Sequence, residues 1–192
     1  MRALVLASTS PRRHALLRDA GFDFSIAAPD VDESALPGES PESLAVRLAR
    51  AKARAVLPRV DPGACVLAAD TVVEIDGALL GKPSDEAEAV EMLLQLAGRT
   101  HRVLTGFALA VRALGIEEVG VVESAVRMHA VDRSTAARYA ASGEPLDKAG
   151  GYAAQGDGGR FVAEIVGSRA NVIGLPLEEL VPRLAKLEVV PR

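Results

Sequence analysis

The chain is poor in aromatic residues and in cysteine. Only 3% of its 192 residues are aromatic, tryptophan is absent, and Cys65 is the single cysteine. One cysteine excludes an internal disulfide framework and favours a reducing, cytoplasmic setting. Because Cys65 lies within the apolar run 64–69, we expect it to be a small buried core residue. The scarcity of aromatics means that the core must consist of alanine, valine and leucine.

Long hydrophobic runs and a strong net charge are also missing. No apolar run approaches the ~20 residues that a membrane span requires, so we expect neither a membrane partner nor a signal peptide. The net charge of −4 argues against binding to a nucleic-acid polymer. The histidines are too scattered for a zinc site, and no nucleophile-elbow pattern is present. Any phosphate-bearing partner is therefore expected to be a small molecule.

Strand-like and helix-like segments alternate along the chain. Apolar runs and alternation predict strands at 2–7, 22–26, 65–69, 71–75, 103–111, 119–129 and 161–166. Caps and stop signals predict helices at 11–20, 41–57, 84–97 and 132–142, and a last helix from residue 176. The length suits one domain, or two small lobes that share a core. Since no repeat or low-complexity linker interrupts the pattern, we expect a single α/β domain over residues 1–192.

Near the N-terminus, an apolar run is followed by hydroxyl residues and a helix start. Residues 8–10 all carry hydroxyl groups, Pro11 begins the predicted helix, and Arg12 and Arg13 follow at once. A helix start leaves amide N–H groups unpaired and carries partial positive charge. Together with two guanidinium groups it suits a phosphate. The alternative is that Ser10 merely caps the helix and the arginines lie in solvent.

Polar residues also stand at the end of a predicted buried strand. Asp70 and Thr71 follow directly on the apolar run 66–69. A buried carboxylate is costly unless it binds a cation, accepts hydrogen bonds or shifts its pKa. A turn aspartate that caps a loop is the alternative. Lys82 follows a predicted turn at 76–77, and it either folds back toward the same end of the sheet or lies exposed in a loop.

The helix predicted at 41–57 is rich in basic residues. One face of it carries Arg47, Arg50 and Arg54. Lys52 falls outside that row, and a solvated basic face explains the arginines. In the acidic loop that precedes this helix, Asp32 and Glu33 either supply an acid group near a metal ion or are simply solvated.

The segment 144–156 combines paired glycines with a lone amide side chain. Gly150 and Gly151 allow the backbone to approach a ligand closely. Gln155 carries both a donor and an acceptor, which suits recognition of the edge of a nucleobase. A flexible polar loop is the alternative.

Several short motifs, spread over nearly the whole chain, are specific as a set. They are Ser8-Thr9-Ser10-Pro11-Arg12-Arg13, Ala69-Asp70-Thr71-Val72-Val73, Gly81-Lys82-Pro83, Leu104-Thr105-Gly106, Asp147-Lys148-Ala149-Gly150-Gly151-Tyr152 with Gln155-Gly156, and Gly167-Ser168 with Asn171. In this order they resemble the Maf family of nucleoside triphosphate pyrophosphatases.

This resemblance implies both a fold and an activity. The fold is an elongated α/β structure related to inosine triphosphate pyrophosphatases, with a mixed sheet, flanking helices and a cleft between two lobes. The activity is hydrolysis of a nucleoside triphosphate between its α and β phosphates in the cytoplasm, assisted by a divalent cation such as Mg²⁺ or Mn²⁺, in an enzyme that is often a homodimer. The alternatives are a pyrophosphatase for N7-methyl-GTP or inosine triphosphate, and a non-catalytic nucleotide-binding regulator of septum formation.

The residues at the matching positions take their expected roles from the resemblance. Asp70 is expected to activate the attacking water, directly or through a bound metal ion, and Lys82 to act with it in catalysis. Glu33 is the expected metal or water partner of Asp70. The expected substrate-binding residues are Ser8, Arg12, Arg13, Lys52, Thr71 and Gln155.

Three of these positions indicate which base is selected. Arg12, Thr71 and Gln155 match the branch that resembles dTTP and UTP pyrophosphatases, whereas the branch for N7-methyl-GTP has Trp, Gln and Glu there. An aromatic ring stacks on a cationic methylated purine, and a carboxylate complements its charge. This sequence offers neither, which favours dTTP, UTP and modified pyrimidine nucleotides. It departs from the family pattern at 153–154, two alanines, and at 169–170, Arg-Ala in place of an aromatic pair.

Overall fold

The structure, a computed structural model, describes all residues from 1 to 192. Its strands are β1 (Leu4–Leu6), β2 (Phe24–Ile26), β3 (Cys65–Ile75), β4 (Ala78–Leu80), β5 (Thr100–Val111), β6 (Ile116–Met128) and β7 (Val162–Val166). Its α-helices are α1 (Pro11–Asp19), α2 (Pro41–Val56), α3 (Glu86–Leu96), α4 (Arg133–Ala140), α5 (Arg169–Ile173) and α6 (Leu177–Lys186). None of them combines the length and apolarity that a bilayer crossing requires.

The strands form one mixed sheet of seven strands. Its order is β2-β1-β3-β5-β6-β7, with β4 hydrogen-bonded to β3. Strand β1 pairs in parallel with β2 and β3, whereas β4 and β7 pair antiparallel with β3 and β6. Parallel neighbours need a crossover connection. Helix α1 lies between β1 and β2 in the chain, and α2 lies between β2 and β3. The predicted α/β class, a mixed sheet with flanking helices, is confirmed.

The chain divides into two compact units. Unit 1 comprises Met1–Asp70, Thr105–Val122 and Gly174–Arg192, and unit 2 comprises Thr71–Leu104 and Glu123–Ile173. Strands β3, β5 and β6 each contribute residues to both units. The predicted cleft stays a prediction.

Unit 1 has two separate apolar clusters because side chains alternate between the faces of its strands. In β1, Leu4 and Leu6 belong to one cluster and Val5 to the other. The first contains leucines of α6, and the second contains alanines of α2. Cys65 is completely buried in the first, and burial raises the pKa of its thiol to about 12. The prediction that Cys65 is a core residue is confirmed.

Unit 2 has a single core that uses aromatic residues. It includes both tyrosines of the chain, Tyr139 and Tyr152, together with Phe161. The rings of Tyr139 and Phe161 meet edge to face, with centroids 5.1 Å apart. Both tyrosines thus lie in unit 2, whereas Phe22, Phe24 and Phe107 belong to unit 1.

Some predicted boundaries were wrong. Strand β3 is continuous over 11 residues, although the polar pair at 70–71 suggested two strands. Helix α3 is capped by Asp85, which accepts a hydrogen bond from the Glu88 N–H at 2.8 Å, and not by Ser84. Ser84 instead donates to the carboxylate of Glu88. Helix α5 was not predicted, and the glycine-rich segment that precedes β7 contains short 3₁₀ turns.

Candidate functional site

Helix α2 turns a stripe of mostly apolar side chains toward the sheet. At helical spacing, its buried residues include Ala45, Leu48, Ala49, Lys52, Ala53 and Val56. Lys52 therefore occupies a position in the apolar stripe and is only 6% exposed. The three arginines that sequence analysis placed on another face form ion pairs at the surface, with Glu39 or Glu117. The prediction that Lys52 lies off the arginine row is confirmed.

The Lys52 ammonium group bridges two carboxylates. Its Nζ atom lies 2.6 Å from Asp70 Oδ1 and 2.5 Å from Glu33 Oε1. Asp70 continues the row of Val66 and Ala68 in β3, so it faces α2. Its side chain is 11% exposed, against 46% for Glu33. Asp70 is thus a buried strand residue with a cationic partner, and the alternative of a loop cap is wrong.

The segment between β1 and α1 is tied together by its own side chains. Ser8 Oγ accepts a hydrogen bond from the Ser10 N–H at 3.1 Å, and His14 Nε2 lies 2.9 Å from the Ser8 carbonyl oxygen. Arg13 Nε donates to the Gly174 carbonyl at 2.7 Å, and its Nη1 lies 3.5 Å from Ser8 Oγ. Ser10 occupies the N-cap position of α1, but its side chain makes no capping hydrogen bond. The alternative in which Ser10 merely caps this helix is therefore wrong.

The guanidinium group of Arg13 lies in the field of both carboxylates. Burial lowers the pKa of Arg13, the negative charge of Asp70 raises it, Arg12 lowers it, and Glu33 raises it. Arginine remains protonated at neutral pH despite such shifts. Unit 1 thus brings together five of the predicted residues through hydrogen bonds, ion pairs or direct electrostatic influence, with Ser8 beside them. They are Arg12, Arg13, Glu33, Lys52 and Asp70. Since cations outnumber carboxylates, this group can attract an anion.

The other predicted residues belong to unit 2. Thr71 follows Asp70 in β3 and is half-buried, whereas Lys82 and Gln155 are exposed. The Gly150 N–H donates to the Gly81 carbonyl at 3.0 Å, which joins the glycine-rich segment to the residue before Lys82. The roles of Thr71, Lys82 and Gln155 stay predictions.

The paired glycines have a packing reason. Gly150 and Gly151 adopt φ values of +74° and +66°, a region that favours glycine. A Cβ at Gly150 would lie 3.1 Å from Val73, and one at Gly151 would lie 3.4 Å from the Ala89 carbonyl oxygen. The positive φ thus accounts for both glycines without a ligand, and close packing against Val73 adds to it at Gly150.

Sequence reasoning missed the role of Gly106. A Cβ there would clash with the carbonyl oxygen of Ala45 in α2. The backbone of α2 therefore packs directly against β5, which fixes how deep the helix that carries Lys52 lies on the sheet. Its place in the motif Leu104-Thr105-Gly106 was the available signal. His14, whose ring nitrogen lies 2.9 Å from the Ser8 carbonyl oxygen, gave no such signal.

Glu33 and Asp70 are the residues that could hold a divalent metal ion. No group of three or more His, Cys, Asp or Glu side chains in the chain is arranged to hold a metal ion. Mg²⁺ is usually bound by one or two carboxylates together with substrate phosphates, and both Mg²⁺ and Mn²⁺ prefer oxygen ligands. The two carboxylates of Glu33 and Asp70 converge on the Lys52 ammonium group. Their oxygen atoms suit such an ion, which would share them with the Lys52 ammonium group.

Comparison with known proteins gives strong matches over almost the whole chain. The family model described as Maf-like protein matches residues 3–187. A dTTP/UTP pyrophosphatase of Desulfotalea psychrophila is 47% identical over 98% of this chain and 96% of its own length. A protein of the same name from Symbiobacterium thermophilum is 51% identical over 97% of this chain and 94% of its own length. Another, from Myxococcus xanthus, is 52% identical over 95% of this chain and 91% of its own length.

Solved structures give weaker similarities. A nucleoside-triphosphatase, or dITP/XTP pyrophosphatase, from Mycobacterium abscessus is 20% identical and has a TM-score of 0.42, over 67% of this chain and 75% of that one. A HAM1 protein from Coxiella burnetii is also 20% identical, with a TM-score of 0.45, over 67% and 73%.

Proposed function

The chain belongs to the Maf family, and we propose that it hydrolyses dTTP and UTP to the nucleoside monophosphate and pyrophosphate. The observation that carries this proposal is the Lys52 ammonium group, buried between Asp70 and Glu33 in a group that also holds Arg13. The substrates are supported by the names of relatives about half identical to this chain over almost its full length.

The cationic residues suit the charge of the substrate. A nucleoside triphosphate carries roughly four negative charges, and catalysis of phosphoryl transfer depends chiefly on positioning and electrostatic stabilisation. In this proposal Arg12, Arg13 and Lys52 bind the triphosphate, and the Ser8 hydroxyl contacts it. Lys82 neutralises the charge that develops on the leaving pyrophosphate.

Asp70 is proposed as the general base. A water oxygen attacks the α-phosphorus. The bond between the α-phosphorus and the oxygen that bridges it to the β-phosphorus breaks, and the electron pair of that bond leaves with pyrophosphate. The Asp70 carboxylate accepts the proton that the water loses. Lys52 Nζ lies 2.6 Å from the same carboxylate. No covalent enzyme intermediate is needed.

A divalent metal ion would complete the group. Nucleotide pyrophosphatases of this kind generally depend on one, and we assign Mg²⁺ or Mn²⁺ to Glu33 and Asp70 because their carboxylates converge. When bound, the ion supplies positive charge to the phosphates and to the water.

Base selection is assigned to Arg12, Thr71 and Gln155. Thr71 follows Asp70 in β3, and its assignment rests on the match between its position and that of the dTTP/UTP branch. The Gln155 amide is exposed and offers both a donor and an acceptor. A single functional domain, a cytoplasmic location and a homodimer stay predictions.

A panel of nucleotides tests the proposal. The purified chain is assayed for pyrophosphate release from dTTP, UTP, CTP, inosine triphosphate and N7-methyl-GTP, with Mg²⁺ or Mn²⁺ and with a chelator. We expect kcat/KM for dTTP and UTP to be at least about tenfold higher than for the two purine nucleotides, a difference of about 1.4 kcal/mol. Activity is expected to disappear with the chelator.

Two results would contradict the proposal. Turnover of N7-methyl-GTP or inosine triphosphate equal to that of dTTP would refute the assigned substrates. Parental turnover in the variant Lys82→Ala would remove Lys82 from the catalytic group. Lys186→Ala, which removes an exposed lysine at the end of α6, is the matched control and is expected to keep full activity.

A further inference from the structure

The backbone on both sides of Gln155 is held by side chains from elsewhere in unit 2. We call residues 152–158 the Gln155 segment. At its start, the Tyr152 hydroxyl lies 2.7 Å from His101 Nε2, and both side chains are buried. At its end, the Gly158 N–H donates to Glu144 Oε2 at 2.9 Å. Gln155, between these points, is exposed.

Tyr139 links Ala153 to Glu144. Its hydroxyl oxygen accepts a hydrogen bond from the Ala153 N–H at 3.2 Å, and its O–H donates to the Glu144 carboxylate. Burial, and then the hydrogen bond to Glu144, raise the pKa of Tyr139, so the hydroxyl keeps its proton. The segment leaves little room around this hydroxyl, because a Cβ at Gly158 would lie 2.5 Å from Tyr139 Oη.

Arg169 supplies a further contact next to Gln155. Its Nη2 atom donates to the Ala154 carbonyl at 2.8 Å. The contact uses the backbone carbonyl of Ala154, so Arg169 holds the main chain directly before Gln155.

We propose that Arg169 and Tyr139 are positioning residues for base selection, which hold the backbone of the Gln155 segment so that the Gln155 amide meets the pyrimidine edge in a fixed orientation. The inference rests on the proposed function. His101 and Glu144 complete the support, at Tyr152 and Gly158. Neither Arg169 nor Tyr139 needs to touch the nucleotide for this role.

The physical reason is the cost of ordering. A glutamine side chain and a loop backbone both lose conformational entropy when they bind a base. Hydrogen bonds to Ala153 and Ala154, the two residues before Gln155, remove part of that freedom before the nucleotide arrives. A loosened segment would still bind the phosphates but would distinguish bases less well.

The test measures discrimination in Tyr139→Phe and Arg169→Ala. Values of kcat and KM are determined for UTP and for inosine triphosphate in the presence of Mg²⁺. Because each substitution removes a single hydrogen bond to the segment, we expect the ratio of kcat/KM for the two nucleotides to fall about fivefold. The fall should come from KM for UTP, with kcat changed less than about twofold. Amide hydrogen exchange at Ala153 should become at least about fivefold faster in Tyr139→Phe.

Two further variants separate positioning from general damage. Arg169→Lys keeps a cationic donor and is expected to restore part of the lost discrimination. Arg138→Ala removes an arginine of α4 whose side chain bonds only to Ser134 and Thr135 in its own helix, and it should keep the parental ratio.

The outcomes are distinguishable. Parental discrimination in both Tyr139→Phe and Arg169→Ala would overturn the inference, as would an equal fall in kcat for both nucleotides. If the parent chain hydrolyses neither dTTP nor UTP, the proposed function itself fails, and this is seen before any variant is measured.

Discussion

Lys52 Nζ lies 2.6 Å from Asp70 Oδ1, and both residues are more than nine-tenths buried. The pair joins the C-terminal half of α2 to the middle of β3, in a region whose other side chains are mostly alanine and valine. Breaking one half of a buried pair leaves an uncompensated charge, which is far more costly than the loss of an exposed ion pair. The two residues assigned to phosphate binding and proton transfer therefore also contribute to stability.

Replacement of Lys52 should lower both stability and activity. In Lys52→Met the buried carboxylate of Asp70 loses its cation, and we expect the free energy of unfolding to fall by about 3 kcal/mol. Urea unfolding followed by circular dichroism measures this change. Arg54→Met removes an exposed ion pair with Glu117 and should cost less than about 1 kcal/mol. Equal losses in the two variants would contradict the importance of the buried pair.

Asp70→Asn should abolish most turnover while the fold persists. The amide keeps the shape of the side chain and still accepts a hydrogen bond from Lys52, but it cannot accept a proton from water. We expect kcat for dTTP to fall by about 10²- to 10⁴-fold. Pyrophosphate release measures kcat, and circular dichroism verifies the fold. Asp19→Asn, an exposed residue at the end of α1, should behave as the parent does. Parental turnover in Asp70→Asn would remove Asp70 from the reaction.

Acid should destabilise the chain through His101. Burial lowers the pKa of His101 from 6.5 to about 4. Between these values the unfolded chain binds a proton that the folded chain does not, so the contribution of His101 is complete above pH 6.5 and is lost as the pH falls toward 4. The difference corresponds to about 3 kcal/mol.

A pair of histidine variants measures this effect. The free energy of unfolding of the parent should fall between pH 7.5 and pH 4. In His101→Gln the contribution of His101 is missing, so we expect this fall to be about 3 kcal/mol smaller. Urea unfolding at several pH values gives the slope of the free energy of unfolding against pH. His129→Gln, in which an exposed histidine is replaced, should retain the parental slope. The same slope in all three proteins would show that His101 is not held neutral by burial.

Gly106→Ala should be strongly destabilising although it adds one methyl group. That methyl group would overlap the backbone of α2 at Ala45, so the helix must move away from β5. We expect a loss of about 2–3 kcal/mol, the upper range for overpacking. Gly81→Ala serves as the control for stability, because a Cβ there meets no atom within 4 Å. A melting temperature equal to that of the parent would contradict the close packing.

The sequence was sufficient to place Lys52 on the apolar face of α2, but not to identify the carboxylates that it contacts. Its spacing from Ala45, Leu48 and Ala49 puts it in the apolar stripe of α2, and a cation in such a stripe indicates a buried anion nearby. Which anion it meets depends on how α2 crosses the sheet. That crossing is set by long-range contacts such as Gly106 against Ala45, and no local pattern predicts it.

The errors have similar causes. Asp70 and Thr71 suggested the end of a strand because polar residues are rare inside buried strands, yet the hydrogen bonds of β3 involve only the backbone and continue through both residues. The contact between Arg169 and Ala154 joins residues 15 apart in sequence, across the whole of β7. Only the folded chain brings these residues together.

The alanines under α2 have a consequence for engineering. Proteins are commonly stabilised by larger side chains that fill space in the core. Here Ala45 leaves no space to fill, because its backbone already touches β5, and Lys52 lies two helical turns further along the same stripe. Enlarging a side chain at this interface would tilt the helix and shift the ammonium group away from Asp70. A more heat-resistant form of this protein is better sought at exposed positions, such as those in the acidic loop 29–40, than in its best-packed layer.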